Sequence, residues 1–103
     1  MRTIAVKLGL RSYQVQISTT LLDEIGERAR AALGAKAKHA VLVSNEIVDA
    51  LYGARVLRSL TRADFKVHRF SIGDGERFKS LRTAESLFAF LIERRVERSD
   101  VIL

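Results

Sequence analysis

The order of hydrophobic periods along the chain predicts an α/β fold: a Rossmann-like, mostly parallel sheet with helices on both faces, opened by an N-terminal β-hairpin. Three observations carry the prediction. Two segments with period-two alternation come first. After them, segments of helical period alternate with short apolar runs, the pattern of a parallel sheet built through right-handed crossovers. The composition agrees, because 48% hydrophobic and 29% charged residues in a chain of 103 suit one small domain with its own core. Residues 1–103 read as a single domain with no repeat, no low-complexity segment, no linker and no proline.

Ile4, Val6 and Leu8 alternate with polar or small residues, and Tyr13, Val15 and Ile17 do so around Gln14 and Gln16. Such alternation predicts two strands, each with one buried face, and Gly9 to Ser12 turns the chain between them. Leu22, Ile25, Ala29, Ala32 and Leu33 then follow helical spacing, with Thr20 as cap, Asp23 in the first turn and Gly34 as stop. The run Ala40 to Val43 suits a strand covered on both faces. Asn45 opens the next helix, whose predicted buried residues are Val48, Leu51, Tyr52, Val56 and Leu60. Phe65, Val67, Phe70 and Ile72 mark the following strand, and Gly73 to Ser80 a polar loop. The last helix is predicted to bury Leu81, Ala84, Leu87, Phe88, Leu91 and Ile92 and to end in Arg94-Arg95. Asp100 leads into Val101-Ile102-Leu103, which has the character of a buried parallel strand.

Composition also excludes function classes. Without cysteine there is no disulfide framework, thiolate metal site or cysteine nucleophile. No apolar run approaches the roughly 20 residues that span a bilayer, and Met1-Arg2-Thr3-Ile4 does not begin a signal peptide. The chain therefore reads as soluble and cytoplasmic, with no membrane partner. The net charge of +6 raises the question of nucleic acid. The arginines are instead scattered over helical segments among Glu24, Glu27, Glu85, Glu93 and Glu97, and no aromatic residues interleave with a basic stripe. Solvated helix faces are the reading, and no nucleic-acid partner is expected.

The loop Gly73-Asp74-Gly75-Glu76-Arg77-Phe78-Lys79-Ser80 is the most informative segment. Loops at the carboxyl ends of parallel strands face the ligand crevice. Gly73 and Gly75 free the backbone, Glu76 offers acceptors for a vicinal diol such as a ribose, and Lys79 sets a cation beside a helix amino terminus. An ordinary glycine-rich turn with a helix cap fits the same residues. Asn45 occupies the equivalent junction after the preceding strand, as an N-cap, as a group aimed at the crevice, or as both. His39 and His68 lack metal-ligand spacing and read as surface histidines. No P-loop, nucleophile elbow or G-x-G-x-x-G pattern occurs, so no catalytic centre and no metal site is expected within these residues.

Asp74-Gly75-Glu76-Arg77-Phe78-Lys79-Ser80-Leu81 resembles the D-G-E-x-[YF]-K-[ST]-L motif of 3-dehydroquinate synthases. Leu8-Gly9-Leu10-Arg11-Ser12-Tyr13-Gln14-Val15-Gln16-Ile17 resembles that family's opening hairpin, and Val43-Ser44-Asn45-Glu46, Leu51-Tyr52-Gly53 and Arg98-Ser99-Asp100-Val101-Ile102-Leu103 match in order and spacing. The resemblance implies conversion of 3-deoxy-D-arabino-heptulosonate 7-phosphate to 3-dehydroquinate with loss of phosphate, on the shikimate route to aromatic amino acids. It implies transient use of NAD and a divalent metal, zinc or cobalt, with the metal ligands in a further, mostly helical domain. It implies a homodimer for the whole enzyme. By matching position, Asp74, Gly75, Glu76, Arg77, Phe78 and Lys79 become the NAD segment, with Glu76 and Lys79 at the adenosine ribose and Asn45 nearby. The family's glycine-rich diphosphate turn would begin just past Leu103. The expectation is thus an amino-terminal, NAD-binding piece, inactive alone and binding NAD no better than millimolar. Another sugar-phosphate cyclase, a glycerol-dehydrogenase-like domain and a stand-alone nucleotide-binding module remain the alternatives.

Overall fold

The structure is a computed structural model that describes residues 1–103. Strands β1 (Arg2–Val6) and β2 (Tyr13–Ile17) form an antiparallel hairpin joined through a 3-10 turn at Gly9–Arg11. Helix α1 (Leu21–Leu33) leads to β3 (His39–Ser44). Helix α2 (Glu46–Val48), a π-helical turn at Asp49–Gly53 and helix α3 (Ala54–Arg62) form one continuous helical run to β4 (Lys66–Ser71). A 3-10 turn at Glu76–Phe78, helix α4 (Leu81–Glu93) and β5 (Val101–Ile102) complete the chain. The architecture is α/β, as the alternation of periods predicts.

The second sheet is parallel in the order β4-β3-β5. The chain therefore steps from β3 to β4 on one side, then crosses back over β3 to reach β5. Right-handed crossovers in opposite directions place their helices on opposite faces. That fits α3 with the face of Ala40 and Leu42, and α4 with the face that carries His68 and Phe70. The order reverses between β3 and β5, so the sheet has a switch point there, and a crevice opens at its carboxyl ends.

The core lies between the sheet and the α1–α3 pair, where Ala37, Ala40, Val56, Leu60 and Phe65 are buried and Leu22, Ile25, Ala29, Leu42 and Val67 pack around them. Gly26 permits close contact of the two helices. A Cβ there would stand 2.0 Å from the Ser59 carbonyl oxygen. The Gly26 N–H donates to Ser59 Oγ at 2.9 Å, and that hydroxyl donates to the Asp23 carbonyl at 2.8 Å. Arg55 adds a two-pronged bond to the Asp23 carboxylate, which holds that carboxyl below its ordinary value. Gly34 ends α1 at φ 77, as the stop signal predicts.

Several expectations are corrected. Thr20 makes no side-chain cap; its hydroxyl donates to Glu24 instead. The apolar face of the hairpin is not buried by this chain, for Ile4, Tyr13, Val15 and Ile17 are all exposed. On the other face only Gln16 is half-buried, where it accepts a hydrogen bond from Arg28 of α1. Val48, Leu51 and Tyr52 are exposed; Val48 and Tyr52 share an open apolar recess with Leu22, Leu42 and Val56, which no other part of this chain covers. On α4, Ala84, Leu87 and Leu91 are half-buried, but Leu81, Phe88 and Ile92 form an exposed stripe beside them. No helix is long and apolar enough to cross a membrane.

Candidate functional site

The carboxyl ends of β3 and β4 bring the sequence-predicted residues together. The two strands stay paired to their ends, with Ser44 opposite Ser71, and the Ile72 N–H then donates to the Ser44 carbonyl at 2.8 Å. That register sets the loop after β4 beside the junction after β3. Asn45 bridges them. Its Oδ1 accepts from the Val48 N–H at 2.8 Å, the N-cap of α2, while its Nδ2 donates to Asp74 Oδ1 at 3.4 Å. The cap reading of Asn45 therefore holds, and the other end of the same amide ties the two junctions together.

The Asp74 to Lys79 loop is shaped by its two glycines and one aromatic ring. Phe78 packs on Gly73 so closely that a Cβ there would stand 2.4 Å from the ring, so a side chain at that position would displace it. Gly75 takes φ 104, which any L side chain strains to adopt, and the space beside it is open. Its carbonyl accepts the Phe78 N–H at 3.2 Å and starts the 3-10 turn Glu76–Phe78. The anchored ring leaves its neighbours outside: Asp74, Glu76, Arg77 and Lys79 are exposed, and the Arg77 guanidinium lies 4.6 Å from the centre of the Phe78 ring.

Lys79 Nζ and Glu76 Oε1 form an ion pair at 2.9 Å. With both groups largely in water, such a pair is worth about 0–1 kcal/mol, so a ligand hydroxyl can replace either contact at little cost. Ser80 caps α4, accepting the Thr83 N–H at 3.3 Å, and the first turn of α4 carries no acid. Lys79 and this helix terminus together favour an anion. Two open recesses flank Ile72. One, of about 480 Å³, is lined by Glu46, Ile47, Ser71, Gly73 and Asp74. The other, of about 420 Å³, is lined by Val43, Phe78, Lys79, Ser80 and Leu81 among others. Val43, Ile72, Phe78 and Leu81 give them apolar walls, and Glu46, Asp74 and Lys79 a polar rim. No three metal-ligating side chains converge anywhere in the chain, so these residues do not fit a divalent metal.

Two arrangements escaped the sequence reading. Arg69 on β4 pairs with Asp49 of the π-helical turn at 2.6 Å, across Gly53, where a Cβ would collide with both groups. His39 and His68, read above as separate surface residues, are half-buried partners with their ring nitrogens 2.9 Å apart. Only the parallel register of β3 and β4, invisible in linear spacing, brings them together.

Fold and site define the class: an α/β domain with two open recesses beside the carboxyl ends of β3 and β4 in its parallel sheet. Sequence comparison then gives the proteins it is similar to. A 3-dehydroquinate synthase of Gloeobacter violaceus is 41% identical over 103 residues, which is 100% of this chain and 28% of that protein. The 3-dehydroquinate synthase of Halorhodospira halophila is 40% identical over 103 residues, and that of Pelotomaculum thermopropionicum 38% over 104, each match covering 100% of this chain and 27% of the relative. No family model matches. The chain is similar over its whole length to the 3-dehydroquinate synthases, and it spans little more than a quarter of the length of the curated relatives it matches.

Proposed function

We propose that this chain is the amino-terminal, NAD-binding part of a 3-dehydroquinate synthase. The whole protein then converts 3-deoxy-D-arabino-heptulosonate 7-phosphate to 3-dehydroquinate and phosphate in the cytoplasm, as a homodimer, on the route to aromatic amino acids. The observation that carries the reading is the bridge from Asn45 to Asp74, which joins two separately matched family segments at one crevice. In this role Glu76 accepts hydrogen bonds from the adenosine ribose, and Lys79 supplies the cation beside the α4 terminus. Gly75 lets the backbone come close to the nucleoside, and Phe78 holds the loop in shape. Arg77 lies at the loop's outer edge over that ring. NAD, when bound, provides reversible hydride transfer to and from the substrate. A divalent ion, zinc or cobalt, takes its ligands from residues other than these.

The reading is tested by assaying the full-length protein for phosphate release from the heptulosonate phosphate, with NAD and zinc or cobalt added. The expected result is release that requires NAD. Absence of release under those conditions, or release indifferent to NAD, would refute it.

A further inference from the structure

At the opposite end of the sheet from the crevice, His39 and His68 meet where β3 and β4 begin. Pairing sets His39 beside Lys66 and Val41 beside His68, so both imidazoles stand on the face that α4 covers. His39 Nδ1 lies 2.9 Å from His68 Nε2. The ring centroids are 5.1 Å apart, with 21° between the planes. That separation matches the nitrogen gap plus one ring radius at each end. The rings therefore lie side by side, nearly in one plane, with the two nitrogens pointing at each other. This is the geometry of an N–H···N bond, in which one facing nitrogen must keep its lone pair.

Every neighbouring element contributes a group to this pair. Phe90 of α4 meets His68 edge-on at 6.5 Å and Phe70 at 5.1 Å, and the Arg94 guanidinium caps Phe90 at 3.7 Å. Lys66 stands on β4, and Lys36 and Lys38 come from the approach to β3. On the acidic side, Glu97 and Asp100 close the approach to β5, and Asp100 accepts the N–H groups of Lys38, His39 and Glu97. Burial, then the charges of His39, Lys66 and Arg94, hold His68 below its ordinary pKa against the pull of Asp100.

We propose that His39 and His68 form a proton-counting latch that fastens the carboxyl end of α4 and the turn at Asp100 onto β3 and β4. The neutral pair and the singly protonated pair both leave one facing nitrogen able to accept, so the latch stays closed. The doubly protonated pair has N–H facing N–H, with Lys66 and Arg94 close by, and it opens. Opening draws His68 away from Phe90 and frees α4 and β5 while β3–β4 and α1–α3 stay packed. Phe90 and Arg94 sit on the same helix whose start forms the Lys79–Ser80 side of the crevice, so the latch is a pH-sensitive element of the α4 unit.

The test is an imidazole nitrogen NMR titration of the full chain from pH 8 to pH 4, with amide exchange followed in parallel. The expected result is two separated protonation steps shared by His39 and His68. Exchange within residues 84–94 and 101–103 should accelerate at least tenfold in the second step only. In the His68→Gln variant, whose amide still bonds His39, the second step and its exchange change should both vanish. The His39→Asn variant should behave alike and guards against a folding defect in the first. Two histidines titrating independently near their ordinary value would overturn the latch, as would unchanged acid loosening of α4 in either folded variant.

Discussion

Replacing Gly26 by alanine tests how the two packed helices are joined. In an open helix this substitution stabilises by roughly 0.5–1 kcal/mol, because alanine loses less backbone entropy. Here the added Cβ would stand 2.0 Å from the Ser59 carbonyl oxygen, 2.5 Å from its carbon and 2.9 Å from the Leu60 Cα. Those are backbone atoms and cannot swing aside. Ordinary contact begins at 3.4 Å, so α1 must recede by about 1.4 Å, the difference between 3.4 and 2.0 Å. The Gly26–Ser59 bond, now 2.9 Å, then lies beyond hydrogen-bonding reach. Forced separation of a packed core costs about 1–3 kcal/mol and the lost buried bond about 0.5–1.5 kcal/mol. After the propensity gain, the net loss is about 2 kcal/mol. Urea unfolding followed by circular dichroism should show a lower midpoint at unchanged slope. A variant as stable as the parent, or more stable, would refute the close α1–α3 approach.

Three further outcomes are expected. Asn45→Ala removes the α2 cap and the bridge to Asp74, so it should lower stability by about 0.5–2 kcal/mol in thermal melts and also weaken NAD binding. Asp100 ties Lys38, His39 and Glu97 together. Burial pushes its carboxyl up, yet the backbone N–H groups of His39, Glu97 and Lys38 together bring it below the usual 3.8. A depressed folded pKa means that the unfolded chain takes up the proton first. The stability contributed is therefore complete above about pH 4–5 and is lost as pH falls through the folded pKa. Asp100→Ala should flatten that acid limb of the pH–stability curve; an unchanged limb would assign it to other groups. Finally, the open edge of β5 and the exposed Ile4, Val15 and Ile17 should make residues 1–103 self-associate, and a monomer by light scattering at high concentration would contradict this.

Much of this was legible in the sequence because period and punctuation carry local physics. Gly34 stops α1, Ser80 and Asn45 sit where capping oxygens are needed, and the loop from Asp74 to Lys79 falls at a strand end as its glycines imply. What was not legible depends on partners distant in the chain. The alternation of Ile4, Val15 and Ile17 marks one apolar face but not whether anything within these residues covers it. Leu81, Phe88 and Ile92 keep helical spacing with the residues packed on the sheet, yet nothing within these residues covers them. The π-helical turn at Asp49–Gly53 is announced by no hydrophobic period, and the spacing does not tell that Leu51 and Tyr52 stay uncovered. His39 and His68 meet only through strand register.

The central claim is that the loop carrying Glu76 and Lys79 receives the adenosine end of NAD. Calorimetric titration of the full-length protein with NAD, parent against Glu76→Gln and Lys79→Met, tests it most directly. A charged hydrogen bond is worth about 1.5–3 kcal/mol, so each variant should lose roughly ten- to a hundredfold in affinity. Both side chains are exposed and their only side-chain hydrogen bond is to each other, so thermal stability should hold. Unchanged NAD affinity in both variants would place the nucleotide elsewhere and contradict the claim.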